Sequence, residues 1–508
     1  MGENNQMKIL LIYPPETIYG PGIAAVTPPL GLAYLAAYIL KFGYEVQILD
    51  TLAEGKGQDK IIGKYHRFGL SEKKIKKWIA DYQPDVVGIS VMFTAFAQDA
   101  LDVARLAKEV SKKIIVVLGG AHVSIDPKKT VMEKNVDVVV NGEGEVTFLN
   151  LLRALEGKSA LSKVTGIAFR QGKKGVMTPP TPIVPDLDSL PFPARHLLPM
   201  EKYQSEHDPY NMRQPLTPIV TSRGCPAKCV YCSIHSIWGF GWRGRSPKNV
   251  VDELELLQKE YGIREVSLQD DSASLNKKRM AGICDEIINR KIDIRWTTPN
   301  GIAHWTLDKP LLEKMKKAGC YRITFGIESG NEEQRRWIGK PYSLAQAKEL
   351  TQYANKLGFW TLATNIIGFP YETKDQMQDT INFAINSDVD FALFFRLGPR
   401  PGTPVYDVFK KEGWLPKDER VLFSESVACD TKYVKGHELY DIQNKAYSRF
   451  FKKRFLSFLN PMRIMRKIRS FEDVKYVSGL AFAGTKMALN LMGTKTGITS
   501  GALKKEIV

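Results

Sequence analysis

Short runs rich in valine and isoleucine alternate with amphipathic stretches, and the alternation comes in two blocks. In the first block the runs Lys8–Tyr13, Glu45–Leu49, Val86–Ser90, Ile114–Leu118 and Val136–Val140 predict strands. Between them Leu30–Phe42, Glu72–Tyr82, Gln98–Ser111 and Glu145–Leu155 carry apolar residues at helical spacing. Strands separated by helices need crossover connections, so this block reads as a parallel, doubly wound sheet. Such sheets bind ligands beyond the carboxyl ends of their strands. Here those ends lead into a loop closing with Thr27-Pro28-Pro29-Leu30-Gly31-Leu32, and into Gly119-Gly120-Ala121-His122 and Gly142-Glu143-Gly144-Glu145. The glycines allow a bulky ligand to approach the backbone closely.

The second block starts at Thr217. Strands are predicted at Thr217–Thr221, Glu265–Gln269, Asp293–Thr298, Tyr321–Gly326, Trp360–Ile366 and Asp390–Leu397. Helical patterns at Pro247–Tyr261, Lys277–Arg290, Asp308–Ala318, Leu344–Leu357 and Lys374–Asn386 separate them. Six βα repeats make an incomplete barrel, whose chemistry belongs at the carboxyl ends of its strands. Between the blocks the chain is proline-rich (Pro179, Pro180, Pro182, Pro185, Pro191, Pro193), with a short hairpin at Val164–Arg170 and Gly175–Thr178, and reads as a stiff linker. Trp414 to Glu438 is irregular. From Asp441 the pattern turns helical, with Tyr447, Phe450, Phe451, Phe455, Phe458 and Leu459 on one face and Arg449, Lys452, Lys453 and Arg454 mainly on the other. A basic cluster at Arg463, Arg466, Lys467 and Arg469 and an apolar patch at Leu480–Met492 follow. The expected domains are residues 1–158, a linker at 159–215, a barrel at 216–410 and a helical basic region at 411–508.

At 508 residues, 44% apolar and 25% charged, the chain has material for two or three cores. No charged-then-apolar leader follows Met1, and no apolar run approaches the roughly 18 residues of a membrane span. The six cysteines form no disulfide framework; Cys284, Cys320 and Cys429 are scattered and read as packing residues, which implies the reducing cytoplasm. Charge changes the picture at one end. From Asp441 to Val508 there are 14 Lys/Arg against 4 Asp/Glu, a balance of +10 within a total of +17. The tail has two readings: a helical cap with its basic face in water, or an interfacial helix drawn to anionic lipid at the inner face of the membrane. Nucleic acid is not an expected partner, since no recognisable module accompanies the charge.

The candidate chemistry is concentrated in Ser222-Arg-Gly-Cys225-Pro-Ala-Lys-Cys229-Val-Tyr231-Cys232-Ser233. Three thiolates within eight residues hold three irons of a cubic four-iron, four-sulfur cluster and leave the fourth open. The alternative is a zinc knot with His235 as fourth ligand. The spacing, with Tyr231 before the third cysteine, resembles the signature of the radical S-adenosylmethionine (SAM) enzymes. The first block resembles the cobalamin-binding domain fused to one large class of them, through Thr27-Pro-Pro-Leu-Gly-Leu-Ala-Tyr-Leu35, Pro84-Asp-Val-Val-Gly-Ile-Ser90, Gly119-Gly-Ala-His122 and Gly142-Glu-Gly-Glu145. The group includes class B radical SAM methyltransferases and enzymes like the anaerobic Mg-protoporphyrin monomethyl ester cyclases.

The resemblance implies a fold class of α/β type: a flavodoxin-like Rossmann cobalamin domain, then a partial (β/α)6 TIM-type barrel, then the helical tail. It implies Cys225, Cys229 and Cys232 as cluster ligands, and Tyr231, Asp270, Asp271, Glu328, Ser329, Gly368 and Pro370 around SAM. Asp270, Asp271 and Glu328 follow successive strands as acceptors, while backbone at Tyr231 and at Gly368–Pro370 lies on the adenine side. Lys340 is a rim charge or a SAM or substrate contact. Thr27, Pro28, Ser90, Gly119, Gly120, His122, Gly142, Glu143 and Gly144 are implied around cobalamin. The family's axial histidine is missing: Pro14 to Pro29 contains none, and His122 beside its Gly-Gly turn reads as a hydrogen-bonding residue before a cobalt ligand. The implied activity is that of an oxygen-sensitive enzyme whose 5'-deoxyadenosyl radical functionalises an unactivated carbon, with C-methylation first, cyclisation or rearrangement second, and a sensor without turnover third. The implied partners are a small-molecule or lipid substrate and an electron donor such as ferredoxin or flavodoxin.

Overall fold

Buried strands in the first block are apolar at every position because helices cover both faces of the sheet. Ile9 and Leu11 face one core with Val86 and Val117, while Leu10 and Ile12 face the other with Val87, Ile89 and Leu118. The computed structural model describes residues 7–20, 24, 26–204, 210–417, 428–458 and 460–480. The chain divides into two units, Met1–Tyr203 with Ile234–Gly239, and Gln204–Ser233 with Phe240–Val508.

In the first unit the parallel strands stand in the order Glu45–Asp50, Lys8–Tyr13, Val86–Ser90, Ile115–Gly119, Val138–Val140. The chain leaves Lys8–Tyr13 for the edge and returns on its other side at Val86–Ser90. That reversal is a switch point of the flavodoxin-like order. The predicted linker hairpin is part of this sheet. Ile167–Gln171 pairs antiparallel with Val138–Val140, and Lys174–Met177 forms the edge. Proline density obscured this, but Ile167 and Ala168 are wholly buried and the Arg170 Nε donates to the Val131 carbonyl at 2.7 Å. A small antiparallel sheet of Glu16–Tyr19, Lys60–Ile62 and Tyr65–Phe68 had no counterpart in the sequence reading.

The second unit holds six parallel strands in chain order: Leu216–Ile219, Glu265–Leu268, Arg295–Ile302, Cys320–Glu328, Trp360–Ile367 and Phe391–Arg396. Helices connect each to the next. Outward-facing Ile323, Phe325 and Ile327 join Val250, Leu254, Leu312 and Leu350 of these helices in one core. The third strand is irregular between Thr298 and Ile302. Cys284, Cys320 and Cys429 are buried packing residues, as expected.

Helix Gly436–Phe458 caps the barrel, with Ala446, Tyr447 and Phe450 in the barrel core. Two tail assignments are corrected. Arg454 is buried and reaches Asp388 at 3.0 Å, whereas Phe455 is 67% exposed. The true buried stripe runs Gln443, Ala446/Tyr447, Phe450, Arg454, at spacings of three and four. A cation belongs to it because an acid waits opposite. Leu459 and residues 481–492 of the expected apolar patch lie outside the described residues. No described helix is long and apolar enough to cross a membrane.

Candidate active site

The cysteine loop leaves the first barrel strand through a two-residue ladder, Ser222–Arg223 against Arg243–Gly244. Asp270 holds its base. Its Oδ1 accepts the Thr221 N–H at 2.7 Å, and its Oδ2 accepts the Thr221 and Ser222 hydroxyls at 2.5 and 2.6 Å. Burial pushes the Asp270 carboxyl up, with these donors acting against it. Asp270, expected beside SAM, is 2% exposed and braces the base of the loop through these three donors. Asp271, exposed next door, accepts the Gly224 N–H at 2.9 Å and fixes the turn just before Cys225. Gly224 is needed there for its φ of 88°.

Cys229 is buried, Cys225 and Cys232 are half-buried, and the Cys232 N–H donates to the Cys229 carbonyl at 3.1 Å. From the far side the Trp337-Ile-Gly-Lys340 turn presses on this loop. The Val230 N–H donates to the Ile338 carbonyl at 3.0 Å, and a Cβ on Gly339 would stand 2.8 Å from the Lys228 carbonyl. Only glycine fits. Lys340 is thereby aimed inward, its Nζ 3.4 Å from both Glu328 Oε1 and the Gly326 carbonyl. Burial works against its charge, but Glu328 and the Cys229 and Cys232 thiols outweigh burial and raise its pKa. Glu328 ends the fourth strand with φ at 61°, a conformation non-glycine residues rarely hold and one that concentrates at functional sites. The Thr364 hydroxyl lies 3.5 Å from its carboxylate, and the nearby Glu328 charge adds to burial in raising the Tyr231 phenol.

Ser329 was also expected beside SAM. It is fully buried; its hydroxyl accepts the Asn331 N–H at 3.2 Å and meets Thr380 at 3.3 Å, closing the turn into helix Glu332–Ile338. Gly368 and Pro370 lie in a buried turn whose Phe369 ring stands 6.2 Å from Tyr231. Glu372 builds this turn and was missed in the sequence. Its Oε2 accepts the Gly368 and Phe369 N–H groups at 2.8 and 3.1 Å, and burial pushes its carboxyl up to about 8. A glutamate four residues after a turn glycine was the available signal.

As free thiols Cys225 and Cys229 are held up by burial, Cys229 to about 11. Metal coordination reverses that, because a bound metal deprotonates a thiol. Among the described residues no three Cys, His, Asp or Glu side chains converge as around one ion. A four-iron cluster takes each thiolate on a different iron, so three thiolates in one short loop suffice for it. The donor set fits the cluster.

At the carboxyl ends of the first unit's sheet, Gly120 has φ 114°, and a Cβ there would stand 2.7 Å from the Val91 carbonyl. Ser124, also missed, ties the two glycine turns together: its hydroxyl donates to the Gly120 carbonyl at 2.9 Å and accepts the Gly142 N–H at 3.0 Å. Glu143 accepts the Val184 N–H at 2.9 Å, and Gly144 opens helix Gly144–Leu155. Thr27 is exposed and Pro28 buried, while Ser90 and Gly119 end adjacent strands in register. A backbone-lined cradle of this kind suits a bulky cofactor. The His122 Nδ1 is 2.9 Å from the Thr94 hydroxyl, and burial lowers its pKa. The ring is thus already oriented by protein. With cobalamin bound and reduced to cobalt(II), we expect a paramagnetic resonance spectrum without nitrogen splitting, unchanged in His122→Ala. Nitrogen splitting lost in that variant would make His122 the axial ligand.

Two family models match, the radical SAM superfamily over residues 219–384 and the B12 binding domain over 18–152. An uncharacterized methyltransferase of Pyrococcus horikoshii is 35% identical over 88% of this chain and 92% of its own length. The cytidylyl-2-hydroxyethylphosphonate methyltransferase of Streptomyces wedmorensis is 33% identical over 88% and 90%. Among solved structures, the radical SAM methyltransferase TsrM of Kitasatospora setae shares the fold with a TM-score of 0.66 at 19% identity, covering 80% of this chain and 76% of its own. The chain belongs to the cobalamin-dependent radical SAM family. It is an enzyme whose cofactors are a four-iron, four-sulfur cluster, SAM and cobalamin.

Proposed function

We propose that this enzyme methylates an unactivated carbon of a small molecule. One observation carries the reading: two relatives called methyltransferases align along 88% of the chain, so they share both the cysteine-bearing barrel and the cobalamin-type sheet. The cofactors supply the hard chemistry, radical formation at SAM and donation of a methyl group. The chain's residues hold and orient. Cys225, Cys229 and Cys232 ligate the cluster. Glu328, placed by its strained strand end beside Tyr231, accepts hydrogen bonds from SAM, and Lys340 pairs with that carboxylate at 3.4 Å and offsets the negative charge of the thiolates. Asp271 fixes the loop and presents its exposed edge, and the turn Gly368–Pro370 offers backbone to the adenine. Thr27, Pro28, Ser90, Gly119, Gly120, Gly142, Glu143 and Gly144 form the cobalamin cradle, with His122 hydrogen-bonding within it. A low-potential donor such as ferredoxin or flavodoxin would supply the electron that the bound cluster needs. The basic tail brings the enzyme to an anionic membrane at the cytoplasmic face.

Counting SAM products tests the reaction. Methylation is expected to yield S-adenosylhomocysteine and 5'-deoxyadenosine in equal amounts from anaerobic, reduced enzyme supplied with substrate-containing extract. A ring-forming or rearranging enzyme yields 5'-deoxyadenosine without S-adenosylhomocysteine. A sensor yields neither.

A further inference from the structure

Two sets stand out among the basic residues of the tail. Arg454, Arg463 and Lys467 face the barrel, where Asp388 and Asp390 take up their charge. Lys452, Lys453, Arg466 and Lys475 are exposed, and no described acid is paired with them. The acids within the same stretch are committed elsewhere: Glu472 to Arg213 and Arg264, Asp473 to the Arg469 N–H and the Ser470 hydroxyl. Interleaved with the four free cations are five large apolar residues turned to solvent. Phe455 is 67% exposed, Leu456 65%, Met462 56%, Met465 65% and Phe471 83%. They are not the fringe of a core. The same segments have an inner side, where Phe458, Ile464 and Tyr476 pack with Trp360 and Tyr321.

We propose that this corner docks on an anionic phospholipid bilayer and holds the barrel by its amino-terminal rim. A lipid surface satisfies both halves of the patch, apolar side chains entering the acyl boundary and ammonium groups meeting phosphate. An apolar protein partner would bury four cations without counterions. A second copy meeting the same face would set like charges against like. The orientation follows from the strands. Tyr321, Trp360 and Asp390, against which the tail packs, stand at the amino ends of the fourth, fifth and sixth strands. The cysteine loop and Glu328 leave from carboxyl ends, which in a parallel barrel all lie on the opposite side, a strand length of roughly 25 Å away. Docking therefore tethers the enzyme and leaves its catalytic mouth toward water, so substrate arrives from the aqueous side and not out of the bilayer. The placement deepens the membrane reading of the tail and is independent of the methyl-transfer reading.

Sedimentation of the full-length reconstituted enzyme with vesicles of phosphatidylcholine alone, or mixed with phosphatidylglycerol, tests it. Binding to the anionic vesicles only, weakened by salt, is expected. Lys452→Gln with Lys453→Gln should weaken binding about 25-fold, at about fivefold for each charge near the surface. Phe455→Ser with Leu456→Ser should weaken it about tenfold or more at low salt, through lost apolar burial. Iron content and 5'-deoxyadenosine formation should be unchanged in both, which shows the protein is folded. An environment-sensitive dye carried by Met465→Cys should shift to the blue on vesicles, and one carried by Arg400→Cys, beyond the carboxyl end of the sixth strand, should not. Failure of the intact enzyme to bind anionic vesicles overturns the membrane reading itself. Binding that both double variants retain overturns the patch, and so does a concentration-dependent dimer abolished by Phe455→Ser with Leu456→Ser. A blue shift at position 400 overturns the orientation.

Discussion

Replacing Cys225, Cys229 and Cys232 together by alanine is expected to take the anaerobically reconstituted enzyme from about four irons per chain to none. Formation of 5'-deoxyadenosine should fall to background with them. The effect is total because, on the proposed assignment, the three thiols are the whole ligand set of one cluster, on a loop that Asp270, Asp271, Ile338 and Gly339 brace from two sides. Iron and acid-labile sulfide analysis measures the loss. Cys284, Cys320 and Cys429, each changed to alanine, should keep the full complement, since burial raises all three thiols far from the reactive range. A triple variant that still holds four irons would refute the cluster assignment.

The largest expected effect on stability comes from Asp390→Ala. The carboxylate is fully buried just before the sixth strand. Its Oδ2 accepts the Thr361 N–H at 2.9 Å, the Thr361 hydroxyl at 3.0 Å and the Lys467 ammonium at 2.8 Å; its Oδ1 accepts Arg463 Nη2 at 2.9 Å and Asn355 Nδ2 at 3.2 Å. Removing it leaves Lys467 wholly buried and Arg463 nearly so, without their shared counterion. Breaking such a buried group by deleting one partner costs about 3–5 kcal/mol, a large part of the 5–15 kcal/mol that typically holds a domain. Urea unfolding of the barrel unit should shift to a correspondingly lower midpoint, with the tail released first. The dependence on pH has a definite sign. Burial raises the Asp390 carboxyl, but Lys467 and Arg463 overcome it and hold the group below its usual range. Burial also draws the Lys467 ammonium down, with Asp390 at 2.8 Å acting against it. A depressed carboxyl contributes stability above its unfolded pKa and loses it as pH falls through the folded value. The gap between wild type and variant should therefore be full at neutral pH and close in acid. An equal gap throughout would mean that lost packing, not charge, sets the cost.

Much of the molecule is decided locally, and that part was legible. Every main strand of both sheets lies within a few residues of its predicted place, because a strand buried on both faces must be apolar along its whole length and a crossover helix must be apolar along one stripe. The three cysteines and the paired glycines were equally plain, since ligand spacing and positive φ are properties of a few consecutive residues. What the sequence left open depends on partners far along the chain. Asp270 and Asp271 are adjacent, yet one is spent on Thr221, 49 residues earlier, and the other stays exposed. Ser329 follows Glu328 but turns to Thr380, while Glu328 turns to Lys340. Arg454 sits in an aromatic stripe because Asp388 lies opposite, and the Ile167–Met177 hairpin left its linker because Val138–Val140 offered a free edge. Periodicity says which side of an element is buried; only the assembled fold decides what that side meets, because the partners of a polar group lie tens of residues away along the chain.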